Sequence, residues 1–321
     1  MPAILAVTVP FFGLVLCGYL AARLRLMPEA TIPGLNAFVL FFALPCMLFR
    51  FGASTPVDKL LNPAMLAVWS IAALAIVAFT LRVTRGPRVN LKDAAFGALV
   101  AAFPNTGFMG MPLMTALLGA AAAGPMMVTL LIDMFITSSV CLALAQMHDN
   151  AHLPLGRRLR NALRGPIGNP QPWAIALGAL FSAYGLGLPG PIDRIVELLA
   201  GAATPVALFT IGAVLWRAGQ HAHSRTPPAL FVPVALIKLA VHPALVFGLG
   251  SAAIALGAPL SRFELMVLTL AAALPSASNV SLLAERFSAD NGRVARIIMT
   301  STVLAFLSFS GLAGVFGAKP G

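Results

Sequence analysis

Ten apolar stretches, each bounded by proline, glycine or charge, divide the chain at near-regular intervals. Apolar runs of this length read as membrane-crossing helices, and the short polar segments between them read as loops. The predicted spans are 3–22, 31–50, 63–82, 93–118, 124–147, 171–188, 191–216, 229–252, 263–286 and 292–315. A crossing needs roughly 20 apolar residues, so ten crossings with short connections fit a chain of 321 residues.

The loops sort by charge. Taken as alternate connections, one side holds fifteen basic residues, among them Arg23, Arg25, Arg85, Arg88, Arg160, Arg217 and Arg293. The other side holds Arg50, Lys59, Arg194, Arg262 and Lys319. Basic loops stay in the cytoplasm, which predicts both termini outside the cytoplasm and a multi-pass protein of the cell inner (plasma) membrane.

Composition agrees. The chain is 59% hydrophobic and 10% charged, whereas soluble domains run about 45–50% and roughly 25%. There are too few polar side chains to cover a soluble surface, and the mean hydropathy of +0.92 excludes a soluble enzyme. The net charge of +11 reads as loop charge that sets orientation, so no nucleic acid partner is expected. No G-x-x-x-x-G-K-[ST] run is present, which excludes an internal ATPase. Cys17, Cys46 and Cys141 lie far apart in apolar runs and read as buried hydrophobes. His221 and His223 are a weak metal signal in a polar loop, so neither a metal nor a cofactor is expected. The first apolar run has no basic residue before it and reads as a span, not a cleaved leader.

Two halves echo each other. Pro45 to Ala53 (P-C-M-L-F-R-F-G-A) matches Pro205 to Ala213 (P-V-A-L-F-T-I-G-A) at the proline, Leu-Phe and Gly-Ala positions. Asp93 precedes Pro104 by eleven residues, and Glu264 precedes Pro275 by the same eleven. The predicted organisation is a first five-helix repeat over 1–147, a cytoplasmic connecting loop over 148–170, and a second repeat over 171–316. With five helices per half the second repeat is inverted, a transporter architecture. The expected fold class is thus an all-α membrane protein of ten transmembrane helices in two inverted five-helix repeats, with broken, crossing helices four and nine. Eleven helical residues cover roughly 16 Å, about half the ~30 Å hydrocarbon core, which puts both prolines near the midplane. Freed backbone there is tolerated only where it lines a cavity or is buried in protein.

The break in span four reads F-P-N-T-G-F-M-G-M-P-L from Phe103, and that in span nine reads L-P-S-A-S-N-V-S from Leu274. Pro104, Asn105, Thr106, Gly107, Pro275, Ser276, Ser278 and Asn279 are the candidate substrate-binding residues. Asparagine offers two donors, and half-helix N-termini favour anions. Together they make a carboxylate site without a formal positive charge. The competing reading is that these groups only satisfy one another across helices. Asp133, Lys238 and His242 are ionisable inside apolar spans, where charge costs about 2.5–3.5 kcal/mol. They are candidates for ion or proton coupling, with a structural Asp133–Lys238 pair as the alternative. Asp93 and Glu264 read as N-terminal caps.

With these motifs the chain resembles the auxin efflux carrier family of membrane transporters, which includes plant auxin exporters and bacterial malonate and malate permeases. The N-T-G-x-x-G-x-P-L run from Asn105 to Leu113 is the most specific likeness. Leu35 to Pro45, Asn169-Pro170, Leu236 to Pro243 and Thr300 to Ser308 add to it. The resemblance implies a scaffold of spans one, two, six and seven and a moving transport domain made by the rest. It also implies a homodimer and a small organic anion substrate bound where spans four and nine cross. The short loop between spans five and six fits a bacterial member. The expected function is a secondary transporter of mono- or dicarboxylates such as malonate or malate, working by alternating access, either coupled to a proton or sodium ion or uncoupled. A passive anion channel or a non-transporting membrane receptor is the rival class, although no ring of filter residues is visible.

Overall fold

The structure is a computed structural model that describes residues 2–60, 62–149, 156, 167–220 and 226–318. His221, His223, Arg225, Lys319 and the basic residues of the predicted 148–170 loop from Arg157 to Arg164 lie outside the described residues. Every regular element among those described is helical, and the only strand-like pairings are isolated bridges at Gly86–Val89 and Pro104–Ser276.

Seven helices among the described residues are long and apolar enough to cross a bilayer. They are α1 (Pro2–Arg23), α2 (Thr31–Ser54), α3 (Pro63–Thr84), α6 (Ala120–Met147), α8 (Gly190–Gln220, apolar to Arg217), α9 (Pro228–Ala255) and α12 (Asn291–Val315). Between them lie shorter helices: α4 (Leu91–Ala102), α5 (Thr106–Leu118), α7 (Pro170–Ala183), α10 (Arg262–Ala272) and α11 (Val280–Arg286). This corrects the expected ten transmembrane helices in two inverted five-helix repeats. The runs 93–118 and 263–286 are each split, and the run 171–188 holds a helix of 14 residues. At about 1.5 Å per residue such a helix covers only about 21 Å. Counting apolar residues cannot tell one long helix from two short ones joined by a bend.

The long helices carry their own irregularities. π-turns occupy Val39–Ala43, Thr106–Gly110, Asp133–Thr137 and Ile237–Val241. Pro45, Pro112 and Pro243 each follow two residues after the end of such a turn. A proline ring clashes with the carbonyl four residues back; in each case that carbonyl lies at the centre of the π-turn, where one extra residue relieves the clash. The remaining turn, Asp133–Thr137, has no such proline. There Ser138 Oγ donates to the Asp133 carbonyl at 2.9 Å, and Thr137 Oγ1 to the Asp133 carboxylate at 3.0 Å.

Glycine permits two close helix contacts. Gly18 of α1 sits on the Phe209 backbone of α8, and Gly212 of α8 sits on the Val15 backbone of α1. In the same manner Gly178 of α7 sits on the Phe49 backbone of α2, while Gly52 lies against the Ile175 carbonyl and Gly178. Phe49 with Gly52, and Phe209 with Gly212, hold equal offsets from Pro45 and Pro205, so the echo in the sequence is a packing motif. Small residues are what allow helices to pack without a hydrophobic driving force in lipid. Helices α1, α2, α7 and α8 form one packed group; α3, α4, α6, α9, α10 and α12 pack mainly among themselves. The short α4 is buried at every position from Ala94 to Ala102.

Candidate functional site

The site begins where α4 and α10 stop. Both stop two or three residues before a proline, α4 at Ala102 and α10 at Ala272, and the two frayed segments bond to each other instead. Asn105 N–H donates to the Pro275 carbonyl at 2.8 Å, and Ala277 N–H donates to the Phe103 carbonyl at 3.0 Å. The result is a two-residue antiparallel bridge between Pro104 and Ser276 in the middle of an all-helical protein. Orphaned polar backbone is thereby paired internally, as a water-free setting demands. Ser276 fixes the junction further, since its Oγ donates to the Val100 carbonyl at 2.7 Å and its N–H to Ser301 Oγ at 3.2 Å.

From this junction α5 and α11 start. Asn105 stands before the first residue of α5 and Asn279 before the first of α11, and neither side chain caps its own helix. Both amides are therefore left to face what lies between the helices. A cavity there is lined by Pro104, Asn105, Thr106, Gly107, Ala277 and Asn279, closed by Phe103, Phe108, Leu130 and Met134, and reached by Gln171 from α7. Its free room is about 10 Å³, a single water at most. Two buried polar atoms at this cavity have no partner: Thr106 Oγ1 and Gln171 Oε1.

A second polar cluster lies next to the junction. Asp133, Lys238, His242 and Trp69 are all fully buried. Trp69 Nε1 donates to Asp133 Oδ1 at 3.0 Å, and its ring packs against His242 with centroids 5.3 Å apart. Lys238 Nζ donates to the Ala272 carbonyl at 2.7 Å and lies 3.2 Å from His242 Nδ1. Ala272 ends α10, so the ammonium group sits on the negative end of that helix dipole, immediately before the break. Asp133 Oδ2 and His242 Nε2 are unpartnered. Asp133 is joined to the cluster through Trp69, not by a direct hydrogen bond to Lys238.

The whole of this framework lies inside one family match: the family described as membrane transport protein matches residues 3–312. The chain belongs to the auxin efflux carrier family of transporters. Among similar proteins, a putative malonate transporter of Rhizobium meliloti is 29% identical over 97% of this chain and 95% of its own. Auxin efflux carrier component 8 of Arabidopsis thaliana is 23% identical over 75% of this chain and 79% of its own. The uncharacterized transporter YfdV of Escherichia coli K12 is 24% identical over 93% of this chain and 92% of its own. Membership makes this chain a multi-pass transport protein and not an enzyme.

In this family member the structure gathers Pro104, Asn105, Thr106, Gly107 and Asn279 around one cavity and puts Pro275 in the bridge. Ser276 and Ser278 are not among the lining residues: Ser276 Oγ donates to the Val100 carbonyl, and the Ser278 carbonyl accepts from Ser281 Oγ at 3.0 Å. Asp93 and Glu264 both work at helix starts. Glu264 closes a capping box with Ser261, and Asp93 Oδ1 accepts the Asp290 N–H at 2.8 Å. Sequence reasoning passed over Gln171 and Trp69. Gln171 follows an Asn-Pro helix start, which reads as capping, and Trp69 looks like any apolar residue until its indole N–H finds a carboxylate.

Proposed function

We propose that this protein is a secondary transporter for small organic anions, working by alternating access, with the carboxylate held between Asn105 and Asn279. The observation that carries this reading is the junction itself: two broken segments bonded backbone to backbone, with an uncapped asparagine on each side. The N-terminal end of the 13-residue segment Thr106–Leu118 adds its positive dipole end; the shorter α11 adds less. A cavity with about 10 Å³ of room is too small for a carboxylate, so binding requires the two helix groups to part at the seam where Gln171 faces Gly107. In this reading α1, α2, α7 and α8 are the static scaffold, because their glycine contacts lock backbone to backbone. The name of the Rhizobium relative, a putative malonate transporter, supports a carboxylate cargo.

Asp133, Lys238 and His242 form the coupling cluster of the same reading. Lys238 holds the end of α10, so a change of charge or a cation at Asp133 acts on the break through Trp69 and His242. A homodimer in the inner membrane completes the proposal.

The test is affinity. A charge-assisted hydrogen bond contributes about 1.5–3 kcal/mol, so Asn105→Ala and Asn279→Ala should each weaken carboxylate binding roughly 10- to 100-fold. The double variant should lose less than the sum, because both amides touch one ligand. Affinity within twofold of the native protein in both single variants removes the carboxylate site. Saturable counterflow in proteoliposomes separates a carrier from a channel or a receptor.

A further inference from the structure

Two side chains at the cavity have no structural employment. Gln171 is 2% exposed and Thr106 is fully buried, and both present an oxygen with no hydrogen-bond partner. Native proteins seldom leave buried polar atoms unpaired, since each forfeits its hydration without compensation. A methionine at 171 or a valine at 106 would fill the same space without that cost. Nor does a helix cap explain Gln171, because Asn169 performs that task by accepting the Gln171 backbone N–H at 2.9 Å.

Their placement relative to the asparagines is informative. Thr106 lies one residue beyond Asn105, at the first turn of α5. Gln171 comes from the opposite helix group, on α7, which is pinned to α2 through the Gly52–Gly178 contact. A Cβ built on Gly107 would come 3.6 Å from Gln171 Oε1, so the amide faces the first turn of α5 across the glycine. Rotating the amide half a turn puts its NH₂ where Oε1 lies, and the threonine hydroxyl donates equally well. Two donors therefore converge beside the cavity, apart from the two asparagine amides.

Resting on the carboxylate site proposed above, we infer that Gln171 and Thr106 form a second carboxylate subsite, which selects small dicarboxylates over monocarboxylates. One carboxylate takes the asparagines of the crossing, and the other takes the hydroxyl of Thr106 and the amide of Gln171. Gln171 belongs to the helix group opposite the breaks, so this second contact bridges the two groups. A monocarboxylate leaves Gln171 and Thr106 unpaired beside the bound anion, which is how polar sites reject analogues that lack a matching group.

The experiment compares diacids with their half-esters, which keep the length and lose one charge. Malonate against monomethyl malonate, and succinate against monomethyl succinate, are titrated on the purified full chain. The native protein should bind at least one diacid tenfold or more tightly than its half-ester. Gln171→Met and Thr106→Val should each bring that ratio towards unity, by weakening diacid binding more than half-ester binding. If Gln171→Met does not fold, Gln171→Glu keeps the shape and should lose diacid binding selectively. No diacid preference in the native protein, or a preference kept in the Gln171 and Thr106 variants, overturns the second subsite. Loss of both ligand types in Asn105→Ala, with the diacid preference kept in Gln171→Met, sinks the subsite and leaves the crossing site standing. Unchanged binding of both in Asn105→Ala and Asn279→Ala sinks the crossing site itself.

Discussion

At the scale of single residues the buried cluster around Asp133 gives the sharpest tests. Trp69 Nε1 is one of two side-chain donors to Asp133 Oδ1, the other being Thr137 Oγ1. Trp69→Phe keeps an aromatic ring against His242 and removes the N–H together with part of the buried indole. A hydrogen bond is worth about 0.5–1.5 kcal/mol net, so this variant should unfold at a lower temperature in detergent. An unchanged unfolding midpoint would show that the bond contributes nothing. The second test concerns coupling. If Asp133 exchanges a proton, Asp133→Asn should abolish the pH dependence of uptake and leave substrate binding in place. Uptake with the native pH profile in Asp133→Asn would confine Asp133 to packing.

Among the elements, glycine decides which helices are locked together. A methyl group at Gly18 would collide with the Phe209 backbone, and one at Gly212 with the Val15 backbone. Backbone cannot swing aside as a side-chain tip does. Gly18→Ala and Gly212→Ala should therefore each destabilise the protein by about 1–3 kcal/mol, as overpacked positions do. Gly13 lies in the same helix α1 with nothing within 4 Å of an added Cβ. Gly13→Ala should be neutral or slightly stabilising, since alanine is the better helix former. Thermal unfolding of the three variants side by side checks this, and a loss in Gly13→Ala equal to that in Gly18→Ala would refute the locking argument. The π-turns act in the opposite sense. They let Pro45, Pro112 and Pro243 sit inside continuous helices, and two of those turns carry Thr106 and Lys238.

For the whole molecule, the arrangement of charge yields an orientation. Arg217 pairs with Glu29 at 3.4 Å just after α1 ends. Arg217 also shares a cleft with Asn291, where α12 begins. Arg293 donates to the Asp93 and Leu230 carbonyls at 2.8 and 2.9 Å, which brings the starts of α4, α9 and α12 to that same end. The opposite end holds the Arg50–Asp193 pair at 3.0 Å. Helix α1 starts, and α12 finishes, away from the basic end, so the positive-inside bias predicts both termini outside the cytoplasm. In intact cells, cysteine at Arg88 should react only with membrane-permeant reagents, and cysteine at Arg262 should react with impermeant ones. The reverse labelling pattern would invert the assignment.

The apolar pattern and the scarcity of charge determined by themselves that this chain lives in a bilayer, because no soluble surface can be made from it. The two prolines at equal distance from Asp93 and Glu264 pointed to the breaks through that repeated spacing, because a proline alone does not mark one: Pro10, Pro205 and Pro233 sit inside continuous helices. Periodicity and composition could not determine how many helices cross, because a broken run and a continuous one contain the same residues. Nor could they show that the frayed ends at Pro104 and Ser276 pair with each other, or that Ser276 is spent on the Val100 carbonyl. Gln171 and Trp69 became candidates only through their neighbours: an amide and an indole carry no signal until folding leaves one unpaired and sets the other against a carboxylate. Such pairings join residues more than sixty positions apart in the chain, and only the packing of helix on helix decides them.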